Sequence, residues 1–250
     1  MKAEIPNLWI KCPQPNSEAN LRLFCLPYAG GGTSIFRLWH RELPSNVEVC
    51  AIDLPGRENR LREKPISNLE ILTENLVEVF LQHLDKPFAL FGHSMGALIV
   101  YELARKLLQK NVNPVYIFLS GRPAPHVPEL YPPLHLLPNA EFIEKLTNVY
   151  CAIPDIVAKD QELMELLLPA LRADITLIET YIHSKVEPLD CPICALGGLE
   201  DKEATHDYLV TWRDYTRSSF SVQMFPGGHF YLNENRQLLL EFMSQTLKDY

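Results

Sequence analysis

Phe88-Ala-Leu-Phe-Gly-His-Ser-Met-Gly-Ala97 decides how the rest of this sequence is read. Pro87 punctuates the start of an apolar run, which meets a Gly-x-Ser-x-Gly pentad centred on Ser94. Ala97, Leu98, Ile99, Ala104, Leu107 and Leu108 then continue as a mostly apolar helical pattern. Strand, tight turn and helix in that order hold a serine hydroxyl exposed above the end of a sheet, with the flanking glycines making room for the turn. Ser94 is therefore the first candidate for a nucleophile.

Working outward, the same pattern of strand, turn and helix recurs. Leu21–Leu26 is a β-rich run that breaks abruptly into Pro27-Tyr-Ala-Gly-Gly-Gly32, and an amphipathic helix is expected over 34–43. Such a glycine turn leaves backbone N–H groups pointing outward, which suits an oxyanion or a phosphate. The phosphate alternative lacks both the P-loop lysine and the Gly-x-Gly-x-x-Gly spacing. Val47–Asp53 is the next strand, closed by Leu54-Pro-Gly56. A loop bearing Arg57, Arg60, Arg62 and Lys64 against only Glu58 and Glu63 follows, a local basic patch on an acidic protein.

Ser67 with Glu70 reads as a capping box for a helix whose apolar face runs through Leu69, Leu72, Leu76, Val79, Phe80 and Leu84. Val115–Leu119 is a continuous apolar run, hence a central strand. Strand character returns at 191–197 and 220–225, with helices over 202–215 and 233–247. From about 127 to 188 the pattern is helical without strands, in pieces at 140–149, 160–168 and 169–183, the last with Pro169 at its first position. The expected architecture is α/β: a mostly parallel central sheet flanked by helices, with 127–188 as a helical lid insertion and ligands at the carboxyl ends of the strands. Residues 1–20 read as a short edge strand or an irregular arm.

Composition bounds the rest. The 250 residues are 47% hydrophobic and 22% charged, enough for one domain over 1–250. A formal charge of −8 argues against a nucleic-acid partner. With no apolar core of signal-peptide length in the first ten residues and no run of about 18 apolar residues, no membrane is expected. A cytoplasmic monomer is the resulting expectation. Six cysteines do not make a disulfide framework. Cys191 and Cys194, three apart in a strand, fall on opposite faces and read as buried thiols, with no second pair for a zinc site.

Ser94, the Tyr28–Gly32 turn, Arg57, Gly121, Asp201 and His229 all lie just past strand ends, so they share one edge of the sheet. A serine hydroxyl needs a base, and the base needs an acid to fix its tautomer. Among eight histidines, His229 alone follows a late strand through a Gly-Gly pair. His93 is expected to be directed elsewhere, and the other six to lie at the surface. Asp201, a few residues past a strand end, is the favoured acid over Glu200 and Asp207. The chain order Ser94, Asp201, His229 then fits nucleophile, acid, base. The oxyanion donors expected are the backbone N–H of Met95 and that of Tyr28 or Ala29.

With these residues in place, the chain resembles the type II thioesterases that accompany nonribosomal peptide and polyketide synthetases, and more distantly the thioesterase domain of animal fatty-acid synthesis. The resemblance covers about residues 20–245. It rests on Leu-Phe-Cys-Leu-Pro-Tyr-Ala-Gly-Gly-Gly, Asp-Leu-Pro-Gly-Arg, Phe-Gly-His-Ser-Met-Gly-Ala, Ser-Gly-Arg-Pro-Ala-Pro, Leu-Arg-Ala-Asp, Leu-Gly-Gly-x-x-Asp and Phe-Pro-Gly-Gly-His-Phe-Tyr-Leu, in that order. It implies an α/β-hydrolase with a helical lid that removes aberrant or stalled acyl groups from the phosphopantetheine arm of acyl or peptidyl carrier proteins. It also implies a triad of Ser94, Asp201 and His229 and no cofactor or metal of the enzyme's own. Under it, Arg57, Arg60 and Arg62 become a candidate surface for an acidic carrier. Alternatives are an acyltransferase or product-releasing thioesterase using the same triad, a generic esterase, and a carrier-binding scaffold without catalysis.

Overall fold

Leu21, Leu23 and Cys25 of β2 (Leu21–Leu26) pack into one apolar layer, while Phe24 and Leu26 pack into another. This two-sided burial is what a continuous apolar strand requires, and β4 (Phe88–His93) repeats it with Ala89 and Phe91 against Phe88 and Leu90. The computed structural model describes residues 8–128, 130–148, 153, 155–184 and 187–250. Its seven-stranded sheet has the order β1-β3-β2-β4-β5-β6-β7. Here β3 is Val47–Ile52, β5 Tyr116–Ser120, β6 Ile193–Gly198 and β7 Phe220–Phe225. These strands run parallel, whereas β1 (Ile10–Lys11) pairs antiparallel with β3, so of the edge strand or irregular arm expected before Leu21 a short edge strand forms. Helices α1 (Leu69–Leu81) and α2 (Met95–Leu108) cover one face, and Phe36, Trp39 and α8 (Arg236–Leu247) cover the other.

Several local expectations change. The segment 34–43 forms two 3₁₀ turns, Thr33–Phe36 and Trp39–Arg41. Phe36 ends the first turn and Trp39 opens the second; both are buried, with ring centroids 5.0 Å apart. The cap of α1 is Asn68, which accepts from Ile71 N at 3.0 Å, one residue past the anticipated Ser67. The aromatic segment after 202 starts only at Thr205, which caps α6 (His206–Val210), and tightens into a 3₁₀ turn over Thr211–Tyr215. At the C-terminus α7 (Tyr231–Glu234) is separated from α8 by Asn235, whose side chain turns back to Pro226 O.

Between β5 and β6 lie α3 (Asn139–Asn148), α4 (Asp155–Ala158) and α5 (Gln161–Glu179), packed around Phe142, Leu146, Met164 and Leu171. Pro169 was expected to start a helix and instead sits inside α5. It lies on the exposed side of the helix. Tyr181 beyond α5 ties the insertion to α2 by donating to Glu102 Oε1 at 2.5 Å.

Cys12 and Cys50, 38 residues apart in sequence, form a disulfide across the β1–β3 edge that composition does not signal. Cys191 and Cys194 are free and lie in opposite apolar layers, although the strand starts only at Ile193 and Cys191 stands just before it. Burial pushes the two thiols up to about 12 and about 11. Val149 and Cys151 lie outside the described residues. Among the described residues, no helix is long and apolar enough to cross a membrane.

Candidate active site

Ser94 joins β4 to α2 with φ 53° and ψ −112°, a region that costs a non-glycine residue about 1–3 kcal/mol. Packing holds it there. Its N–H donates to Ser120 O at 2.7 Å, and a Cβ on Gly96 would stand 2.3 Å from Leu26 O. The pentad's glycine spacing is thus a steric condition for seating α2 against the carboxyl ends of β2 and β4.

His229 follows β7 and Asp201 follows β6, and His229 Nδ1 meets Asp201 Oδ2 at 2.7 Å. The other carboxylate oxygen accepts from Glu203 N at 2.9 Å and Ala204 N at 3.2 Å. Burial raises the Asp201 carboxyl, but the His229 hydrogen bond and charge and these two N–H donors outweigh it, leaving it below its ordinary value. The rival carboxylates Glu200 and Asp207 are exposed. Ser94 and His229 line one cavity, with no hydrogen bond between them.

His93 points beneath the elbow. Fully buried, it shares a hydrogen bond at 2.7 Å with Ser120 Oγ, which is 2.6 Å from Tyr231 OH. Its ring centroid is 5.0 Å from that of His229. Burial, and then the neighbouring His229, keep its pKa well below the usual histidine value, and it packs beneath the candidate site. Its position beside the candidate nucleophile was the available sequence signal. Three other histidines are fixed by partners. His135 pairs with Glu179 at 2.6 Å, while His126 and His183 each meet Tyr215 OH.

The glycine turn is closed by Gly31 N donating to Tyr28 O at 2.9 Å, with Gly30 at φ +76°. Positive φ at the third position of a β-turn calls for glycine. Gly30 N donates to Asp174 Oδ2 at 2.8 Å, so Ala29 carries the remaining N–H between the two closing residues. Met95 opens α2, where an N–H has no intrahelical carbonyl to reach.

Two cavities meet at Ser94. One, of about 250 Å³, is largely polar and includes Arg122, His126, Tyr131, Glu203 and Tyr208. The other, of about 90 Å³, runs between Leu134, Leu146, Leu171, Ile175 and Ile178 toward His229 and Phe230.

The basic loop is not the surface patch that its composition suggested. Arg57 is only 5% exposed and Arg60 only 6%, while Arg62 and Lys64 remain exposed. Arg57 forks onto Asp174, with both nitrogen–oxygen distances 2.7 Å. Arg60 donates to Asp53 O and Glu63 and lies 4.0 Å over the Trp9 ring. Carrier binding by direct contact therefore falls away for Arg57 and Arg60, because both are already engaged inside the protein. Arg60→Ala is expected to lower unfolding stability by about 2 kcal/mol in urea titrations, through lost charged hydrogen bonds. Arg62→Ala should leave stability within about 0.5 kcal/mol. Equal stability of the two variants would contradict this placement.

The thioesterase-domain family matches residues 21–247. The chain belongs to the thioesterase family. It is 47% identical over 243 residues to the gramicidin S biosynthesis protein GrsT of Aneurinibacillus migulanus, covering 97% of this chain and 94% of that one. Thioesterase PikA5 of Streptomyces venezuelae is 37% identical over 232 residues, covering 91% and 81%. The solved type II thioesterase BorB from the borrelidin biosynthetic cluster superposes with a TM-score of 0.86 at 34% identity, covering 95% and 96%. This thioesterase accordingly has the α/β-hydrolase fold, and the strand ends bearing Ser94, Asp201 and His229 form its candidate active site.

Proposed function

We propose that this thioesterase hydrolyses acyl groups held as thioesters on the phosphopantetheine arm of carrier proteins, with Ser94 as nucleophile, His229 as base and Asp201 as its orienting acid. The Asp201–His229 hydrogen bond at the wall of a cavity shared with Ser94 is the observation that carries this reading. The relatives named for gramicidin S and borrelidin biosynthesis support a substrate tethered to a synthetase carrier.

Asp201 accepts a hydrogen bond from His229 Nδ1–H, so Nε2 has a free lone pair and takes the Ser94 hydroxyl proton as Oγ attacks the acyl carbon. The Ala29 and Met95 N–H groups receive the oxygen on which negative charge develops. Collapse breaks the C–S bond, and His229 returns its proton to the departing thiol. A water deprotonated by the same histidine then attacks the Ser94 ester and releases the free acid. The small apolar cavity suits the acyl group, and the larger polar one suits the amide-bearing arm.

Incubation with a carrier protein loaded with acyl-phosphopantetheine is expected to yield free acid and free carrier thiol in equal amounts, read by mass spectrometry. Turnover of simple oxygen esters with the carrier thioester left intact would overturn the reading.

A further inference from the structure

The Arg57–Asp174 pair joins three segments that are distant in sequence. Asp174 belongs to α5 of the insertion, is 1% exposed, and accepts from Gly30 N at 2.8 Å. Arg57 stands past the end of β3 and forks onto the same carboxylate, with NH1 also 3.3 Å from Gly31 O. The next residue, Glu58, accepts from the backbone N–H of Thr33 at 2.8 Å and of Ser34 at 3.1 Å. A Cβ on Gly30 would lie 2.4 Å from Leu171 Cδ2, so the turn is pressed against the α5 face that carries Asp174. The glycine turn is thus held by α5 on one side and by the Arg57–Glu58 loop on the other.

Building on the proposed acyl-enzyme mechanism, we propose that Asp174 and Arg57 are positioning residues for the oxyanion site: together they fix the Ala29–Gly30 peptide, hold through it the adjoining Tyr28–Ala29 peptide whose N–H is the donor, and couple both to the insertion helix. Asp174 orients the peptide by accepting from Gly30 N. A lone carboxylate so close to a developing oxyanion would oppose it, and the guanidinium of Arg57 offsets that charge. Only a planar fork can satisfy both Asp174 oxygens while also reaching Gly31 O, so lysine cannot replace it. Mispositioning an oxyanion donor affects the transition state more than the bound substrate, and the clamp therefore governs kcat.

The test compares Asp174→Ala, Asp174→Asn and Arg57→Lys with wild type and Ser94→Ala on a small acyl N-acetylcysteamine thioester, below each variant's melting temperature. Affinity for a trifluoromethyl ketone analogue, which binds serine as a tetrahedral oxyanion, is measured in parallel. Asp174→Ala is expected to lower kcat and ketone affinity by about 10²-fold, with KM changed less than about threefold. Asp174→Asn, which keeps an acceptor for Gly30, should recover at least about tenfold of that loss. If Asp174→Ala does not fold, Asp174→Asn and Arg57→Lys carry the same comparison by the ratio of their ketone affinities to wild type. Wild-type kcat and ketone affinity in the clamp variants, with only melting temperature lowered and Ser94→Ala inert, would overturn the clamp alone. Wild-type turnover by Ser94→Ala would overturn the nucleophile assignment and the clamp together.

Discussion

Ser94→Ala is expected to remain folded and to lose on the order of 10⁶-fold in kcat on acyl thioesters, the scale seen when a serine hydrolase loses its nucleophile. The substitution removes one oxygen and keeps Cβ, so the strained backbone at φ 53° is neither relieved nor worsened. The Ser94 main chain, anchored to Ser120 O, is unchanged. Stability should stay within about 0.5 kcal/mol of wild type, because no core contact is deleted. The proposed oxyanion donors and both cavities persist, so a residual rate above water and a near-normal KM are expected. The measurement is free acid by mass spectrometry together with a thermal melt. Release within tenfold of wild type would require another nucleophile.

Asp201→Asn should cost about 10⁴-fold in kcat, and the hydrogen bonds of this site explain why a nearly isosteric change acts so strongly. One Asp201 oxygen accepts from Glu203 N and Ala204 N, and the other faces His229 Nδ1. An asparagine must keep its carbonyl oxygen toward the two N–H donors, which turns its NH₂ toward Nδ1. Nδ1 then becomes the acceptor, the ring proton moves to Nε2, and the nitrogen that should receive the Ser94 proton already holds one. Single-turnover acylation should slow as much as kcat. A variant that acylates at the wild-type rate would place the orienting acid elsewhere.

The same carboxyl has a signature in stability. Because its folded value lies below the ordinary carboxylate range, its contribution is fully present above the unfolded value of about 3.9 and is lost as pH falls through the folded value. Asp201→Asn should accordingly flatten the acid limb of the stability–pH curve in urea titrations.

The elements legible in advance were those in which the local pattern is itself the physical cause. Two-sided apolar runs must be buried strands, and β2, β4, β5 and β6 lie close to where the pattern puts them. Cys191 and Cys194 lie in opposite apolar layers as expected, although Cys191 stands just ahead of β6 rather than within it. Helix boundaries were harder. Asn68 outcompetes Ser67 as a cap through a choice between adjacent hydrogen-bonding geometries, and Pro169 lies within α5 on its exposed side.

The candidate site divides along the same line. By itself the sequence determined the α/β succession, the Ser94 elbow and the order in which Asp201 and His229 leave their strands, because strand, turn and glycine spacing are interactions among near neighbours. It could not determine what Arg57 does. Composition made that residue part of a basic surface, whereas its partner Asp174 lies 117 positions away on a helix that only folding brings over the glycine turn. The tertiary structure alone decided that Arg57 and Arg60 are interior, that Gly30 N is engaged by Asp174, and that His93 packs beneath His229. A charge carries no local record of its distant partner, so its role is settled by which buried group it must neutralise once the chain has closed.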